Sequence, residues 1–259
     1  MQETAVDREA WIRRYHPAPA GGVRLVTLPH AGGAATYFHP LSQALSGGAG
    51  GAGGIEVLSV QYPGRQDRRH EPAVESIDRL AEQITATLEP WTGEPLALFG
   101  HSMGATVGFE VARRLERAGT PPVAFFASGR PAPGLERRDR LVHLLDDEGL
   151  LTELQRLSGT DPRIFQDDEL IRLTLPAIRS DYRAVETYVC EQEAVLDTPV
   201  TVLIGDSDPR VGIEDARAWQ HRTRGGIDLH VFSGGHFYLA DHQPAIAGLI
   251  RTVLTPALA

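Results

Sequence analysis

Cysteine is almost absent from this chain of 259 residues: Cys190 stands alone. One thiol closes no intramolecular disulfide, and no histidine lies at metal-ligand spacing from it, so Cys190 reads as a buried or idle thiol. Long apolar runs are missing too. No window approaches the roughly 20 apolar residues needed to span a bilayer. The first ten residues carry Glu3, Asp7, Arg8 and Glu9, with none of the apolar core of a signal peptide. A cytoplasmic protein without membrane contact is expected. Basic charge is also in deficit, with 25 Lys and Arg against 34 Asp and Glu and a formal charge of −9. Phosphate backbones require a concentrated basic face, so nucleic acid is not expected as a partner. The local groups Arg65, Arg68 and Arg69, and Arg137, Arg138 and Arg140, read as solvated surface. His-Glu-x-x-His, cysteine pairs and Asp-rich loops do not occur, so no metal or resident cofactor is expected.

What the chain does have is the length for a large core, and a pattern that alternates. Apolar runs at 23–28, 55–60, 95–99, 123–127, 200–204 and 227–232 suit buried strands. Between them lie helical signals, the clearest being Ile77, Leu80, Ala81, Ile84 and Leu88 at three- and four-residue intervals. Others cover 34–46, 102–117 (closed by Gly119 and Pro121), 215–221 and 244–254. Strands alternating with helices predict an α/β fold, with a mostly parallel central sheet and helices on both faces. From 131 to 195 the alternation stops and only helical pattern remains. That stretch is too long for a connector, and it predicts a helical lid over the C-terminal ends of the strands. The expected organisation is therefore core at 1–130, lid insertion at 131–195 and core again at 196–259. Residues 1–20 read as a loosely held arm, and the glycine-alanine stretch at 47–54 as a mobile surface loop.

Chemistry concentrates at four loops. Gly100-His101-Ser102-Met103-Gly104 matches the Gly-x-Ser-x-Gly elbow, in which a sharp strand-to-helix turn lifts a serine to a helix N-terminus. Ser102 is the candidate nucleophile; a plain turn serine is the bland alternative. In this chain order an acid follows, then a histidine. Gly205-Asp206-Ser207-Asp208-Pro209 offers two carboxylates after a late strand. Asp208 is preferred, because the turn through Pro209 can aim it back at the sheet edge, while Asp206 reads as a turn-stabilising Asx residue. Gly234-Gly235-His236-Phe237 places His236 in a loop after the last strand, the station of the general base. Among the rivals, His101 is expected to pack away from the nucleophile, His242 to be exposed and His230 to lie within a strand. Acyl transfer also needs two N–H groups aimed at the oxyanion. Met103 should supply one and Ala31, in Pro29-His30-Ala31-Gly32-Gly33, the other; a simple tight turn is the competing reading of that loop.

With these residues in place, the sequence resembles the type II thioesterases, stand-alone editing hydrolases of polyketide and nonribosomal peptide assembly lines. The matching segments are Leu28-Pro29-His30-Ala31-Gly32-Gly33, Tyr62-Pro63-Gly64-Arg65, the elbow with Met103, Leu175-Pro176-Ala177-Ile178-Arg179-Ser180-Asp181-Tyr182, the Asp208 loop and the His236 loop. The resemblance implies an α/β-hydrolase fold, a Ser102-Asp208-His236 triad, a helical lid, and acyl thioesters carried on the phosphopantetheine of an acyl or peptidyl carrier protein. A monomer that meets its carrier transiently is expected. The arginines at 65–69 or 137–140 could meet an acidic carrier. A small-molecule carboxylesterase, a terminal thioesterase (disfavoured by the chain's free start) and a silent carrier-binding protein remain alternatives.

Overall fold

The computed structural model describes residues 7–18, 21–46, 54–135, 141–157 and 168–258. Among them the apolar runs form strands: β2 (Val23–Leu28), β3 (Ile55–Val60), β4 (Leu96–His101), β5 (Ala124–Ser128), β6 (Val200–Gly205) and β7 (Ile227–Phe232). A short β1 (Ile12–Arg13) completes a seven-stranded sheet in the order β1-β3-β2-β4-β5-β6-β7. Only β1 runs antiparallel to its neighbour; every other pair is parallel. Every residue of β2 to β6 is buried. That explains their continuous apolar runs, since a strand covered on both faces has no polar side to alternate with. At the edge, β7 is only half-buried, and it carries Asp228 and His230.

Side chains leave a strand on alternating faces. Leu98 and Phe125 join a core with helix α3 (Ile77–Leu88), helix α4 (Met103–Arg117) and Trp219. Ala97, Phe99 and Phe126 join the opposite core with α2 (His39–Ser46) and the C-terminal helix (Gln243–Leu254). The fold is thus α/β with helices on both faces, as the pattern requires. In α3, Ser76 accepts the Arg79 N–H at the N-terminus and Asp78 lies in the first turn, so capping and apolar period agree. Between β5 and β6 the described residues form no strand, and their main elements are α5 (Asp147–Leu157) and α6 (Asp168–Glu186). These have a small core of their own, in which Val142, Leu150, Leu154, Leu175, Ile178 and Tyr182 pack together and meet Ala31 of the sheet domain. No helix among the described residues is long and apolar enough to cross a membrane.

Two expectations need correction. The first twenty residues are not uniformly a loose arm: helix α1 (Arg8–Trp11) leads into β1, and Trp11 and Ile12 are buried. The Gln61 N–H donates to the Trp11 carbonyl at 2.8 Å, and the Arg68 guanidinium lies 4.4 Å from the Trp11 ring centre. Two residues of strand make no periodic signal, and the prolines that follow mask it. Secondly, Arg65 and Arg68 are buried, not solvated. Arg65 pairs with Asp181, and Arg68 pairs with Glu71 and donates to the Gln61 carbonyl. Arg137, Arg138 and Arg140, and residues 47–53 of the glycine-alanine stretch, lie outside the described residues.

Candidate active site

The direction of strand addition reverses between β2 and β4. Parallel sheets open a crevice at the C-terminal ends of strands flanking such a point, and the site forms there. Ser102 links β4 directly to α4 with φ 54° and ψ −117°, a left-handed conformation that costs a non-glycine residue about 1–3 kcal/mol. Its surroundings hold it there. The Ser102 N–H donates to the Ser128 carbonyl at 2.8 Å. A Cβ on Gly100 would lie 2.2 Å from the Gly104 carbonyl oxygen, and one on Gly104 would lie 2.0 Å from that of Leu28. Glycine at both places lets the strand, the helix and the loop after β2 close on one another.

The strands β6 and β7 deliver the other two groups. His236 Nε2 lies 2.9 Å from Ser102 Oγ, and His236 Nδ1 lies 2.8 Å from Asp208 Oδ2. With the Nδ1–H donating a hydrogen bond to the carboxylate, Nε2 is left to accept from the hydroxyl. The imidazole is 3% exposed and the Asp208 side chain wholly buried. Asp208 Oδ1 accepts the Arg210 N–H at 2.8 Å, which fixes the carboxylate's second oxygen. Asp206 acts differently from the Asx residue expected: its Oδ1 accepts the Gly234 N–H at 2.9 Å, tying the acid's loop to the histidine's. Ser207 N–H donates to the Gly234 carbonyl beside it.

Ala31 and Met103 line one small cavity with Ser102 and His236. Its other walls include Arg130, Arg210, Leu157 of α5, and Tyr182 and Val185 of α6. A neighbouring cavity of about 420 Å³ shares Arg130, Pro131, Tyr182, Val185 and Arg210 with it. Its size falls in the range of small-molecule sites. Sequence reasoning missed Arg130 and Arg210 at this place, because single residues in irregular segments carry no local motif, and it noted Tyr182 only as the end of a matching segment, without placing it at the site. Arg210 also reaches Glu153 of α5, so the acid's loop and the insertion are joined by a charge pair.

Behind the imidazole lies a wall of rings. The His101 ring lies tilted with its centre 5.2 Å from that of His236, Phe237 stands edge-on to His236 at 5.1 Å, and His30 packs between Tyr37 and Phe237. His101 is buried with Nδ1 2.9 Å from Ser128 Oγ, the packing position expected of it. Burial, reinforced by the charges of His236 and Arg65, pushes the His30 imidazole down to about 3. Burial, with His236 and His30, holds His101 well below its ordinary value. Both are therefore neutral rings at physiological pH. His230 lies within β7, bonded to Asp228. His242 is half-buried and bonded to Ser233, not exposed. Cys190 is half-buried, with its thiol 3.4 Å from the Glu191 carbonyl. Among the described residues no group of three or more His, Cys, Asp or Glu could hold a metal ion.

The thioesterase domain family matches residues 23–254. The chain is 55% identical over 238 residues to Thioesterase PikA5 of Streptomyces venezuelae, covering 91% of this chain and 82% of that one. It is 48% identical over 254 residues to a probable cadicidin biosynthesis thioesterase of Streptomyces griseus, covering 98% and 68%. Among solved structures, the type II thioesterase BorB from the borrelidin biosynthetic cluster superimposes with a TM-score of 0.86 at 50% identity, covering 95% of this chain and 98% of that one. A serine in an elbow, a buried acid-histidine pair and a helical insertion above them thus occur in a chain that belongs to the thioesterase family, among its type II members, and is an enzyme acting on thioesters.

Proposed function

We propose that this enzyme releases acyl groups from the phosphopantetheine arm of an acyl or peptidyl carrier protein, clearing wrong or stalled units from a polyketide or nonribosomal peptide assembly line. The single observation that carries the reading is the continuous path Ser102–His236–Asp208, hydrogen-bonded at 2.9 and 2.8 Å under the helical insertion. The named biosynthetic clusters of its relatives support the choice of carrier-bound substrate. All three side chains come from one chain, so the proposed chemistry asks for no residue of a second subunit and no resident cofactor.

In this mechanism Ser102 Oγ attacks the thioester carbonyl carbon while His236 Nε2 takes the hydroxyl proton. Asp208 keeps the imidazole in the Nδ1–H tautomer and stabilises the cation that forms. The carbonyl's π electrons move to oxygen, where the Ala31 and Met103 N–H groups receive the charge; such donors are worth about 10²–10³ in rate. Collapse expels the carrier thiolate, and His236 returns the proton to sulfur. With a thiol pKa of about 8.5, this leaving group needs little acid assistance. Water, deprotonated by His236, then attacks the acyl-serine, and Ser102 regains its proton as the acid departs. The α5–α6 insertion acts as a lid whose apolar walls exclude bulk water from these steps. The adjoining 420 Å³ cavity offers room for acyl groups of varied shape.

The test is a panel of carriers loaded with short to long acyl groups, compared with free oxyesters of the same acids. Release from carriers at higher kcat/KM is expected. Faster turnover of the oxyesters would favour a small-molecule carboxylesterase, and no turnover of either would favour a carrier-binding protein.

A further inference from the structure

Burial of an ion pair is poor evidence of a stabilising role, because desolvating two charges offsets their attraction. The pair Arg65–Asp181 is such a case, with side chains 7% and 1% exposed. Burial works against the Arg65 charge, yet Asp181 more than offsets it and holds the guanidinium above its ordinary range. What Asp181 touches is informative. Its Oδ2 accepts both the Gly32 N–H at 2.7 Å and Arg65 Nη1 at 2.5 Å, and its Oδ1 accepts Arg65 Nη2 at 2.8 Å. Arg65 Nη1 also donates to the Gly33 carbonyl at 3.1 Å, and the Tyr62 hydroxyl donates to the Pro29 carbonyl at 3.3 Å. The loop from Pro29 to Gly33 is therefore gripped on both sides of Ala31.

The grip comes from the insertion. Asp181 lies on α6, as does Ile178, whose Cγ1 would meet a Cβ on Gly32 at 2.6 Å. Ala31 itself packs against the core of the insertion. We infer that Asp181 is a positioning residue, which sets the direction of the Ala31 N–H by holding the neighbouring Gly32 amide, with Arg65 as the fork that fixes the carboxylate. The oxyanion hole is then complete only while α6 is seated, and seating of the insertion and activation of the ester carbonyl are one event. This explains why Tyr62-Pro63-Gly64-Arg65 and Leu175 to Tyr182, far apart in sequence, belong to the same machinery. The inference rests on the reading of Ala31 as an oxyanion donor.

The test uses the full-length enzyme with active sites titrated by a fluorophosphonate, so that misfolded material drops out of every rate. Asp181→Asn keeps the shape and removes the charge. The double variant Arg65→Met with Asp181→Leu leaves no lone charge buried, and carries the same comparison if Asp181→Asn does not fold. In both, kcat per titrated site should fall by about 10- to 100-fold, somewhat less than for loss of a whole oxyanion donor, with KM changed less than about threefold. Affinity for an acyl trifluoromethyl ketone, whose hemiketal oxygen occupies the hole, should fall in parallel. A merely structural pair would lower thermal stability and leave kcat per site and inhibitor affinity at wild-type values, and that result overturns the inference. Failure of the wild type itself to turn over thioester, or full fluorophosphonate labelling of Ser102→Ala, would instead reject the underlying reading.

Discussion

Ser102 occupies a backbone conformation that an L-residue adopts at a cost, and the glycines at 100 and 104 exist because nothing larger fits where they sit. Such strain persists only where the surroundings over-determine it. In the proposed mechanism the reaction's first bond forms at its hydroxyl, so Ser102→Ala should fold normally and lose acyl release by at least about 10³-fold. Circular dichroism together with a thioester assay checks both halves. Asp208→Asn should keep the imidazole in place but favour the wrong tautomer, lowering kcat by up to about 10⁴-fold with KM little changed. A steady-state comparison that finds less than a tenfold fall would remove Asp208 from its role. At this scale the sequence was a good guide where a role demands a local motif. Ser102 and His236 each sit in a glycine-rich turn after a strand, and the structure brings them within hydrogen-bond distance. Arg210 was illegible as a wall of the site, since only the turn of the acid's loop brings it there, and Tyr182 was visible as the end of a matching segment but not as a neighbour of Ser102, since the path of the insertion places it there.

Elements explain how four distant loops meet. The sheet order reverses at β2 and β4, so the Ala31 loop and the elbow emerge side by side, while β6 and β7 deliver Asp208 and His236 from the other flank. Close approach of α4 to the end of β2 is what brings Met103 near Ala31. Gly104→Ala would place a methyl 2.0 Å from the Leu28 carbonyl and should push the two apart. Overpacking of this kind costs about 1–3 kcal/mol, or more where backbone is the obstacle. A lower urea midpoint accompanied by reduced kcat in the surviving folded protein is expected; a variant of unchanged stability and rate would contradict the packing described. Strands and amphipathic helices were legible because burial on two faces leaves a continuous apolar run and burial on one face of a helix leaves a period. The edge strand at Ile12–Arg13 was not, being two residues long and held by pairing with Ser59 and Val60 instead of by its own pattern.

The whole molecule carries 25 basic side chains, every one an arginine, against 34 acidic ones. Arginine's fixed charge and planar fork suit buried pairs, and this is where Arg65 and Arg68 lie instead of on a docking face. Counting charges along the sequence could not reveal that, because burial of a cation depends on how the chain packs around it: the partner of Arg65 is Asp181, far along the chain, and Arg68 is covered by Trp11 and the Gln61 carbonyl. The buried histidines give the molecule a pH response. His30 is held down to about 3 and His101 well below its usual value, whereas both would titrate near 6.5 when unfolded. The unfolded chain then binds more protons, so stability is complete above about pH 6.5 and declines as pH falls towards 3, by up to about 1.4 kcal/mol per pH unit for each imidazole. Denaturation curves between pH 7 and 5 should show this decline, with a shallower slope in His101→Asn; equal slopes would mean that the ring is not kept neutral.

The most direct test is rapid chemical quench of the wild-type enzyme mixed with an acyl-loaded carrier, followed by digestion and mass mapping of the peptides. An acyl group on the hydroxyl of Ser102, formed before free acid appears and absent from Ser102→Ala, is the predicted result. Steady release of acid with no acylated residue at any time, or with the acyl group on Cys190, would contradict the account.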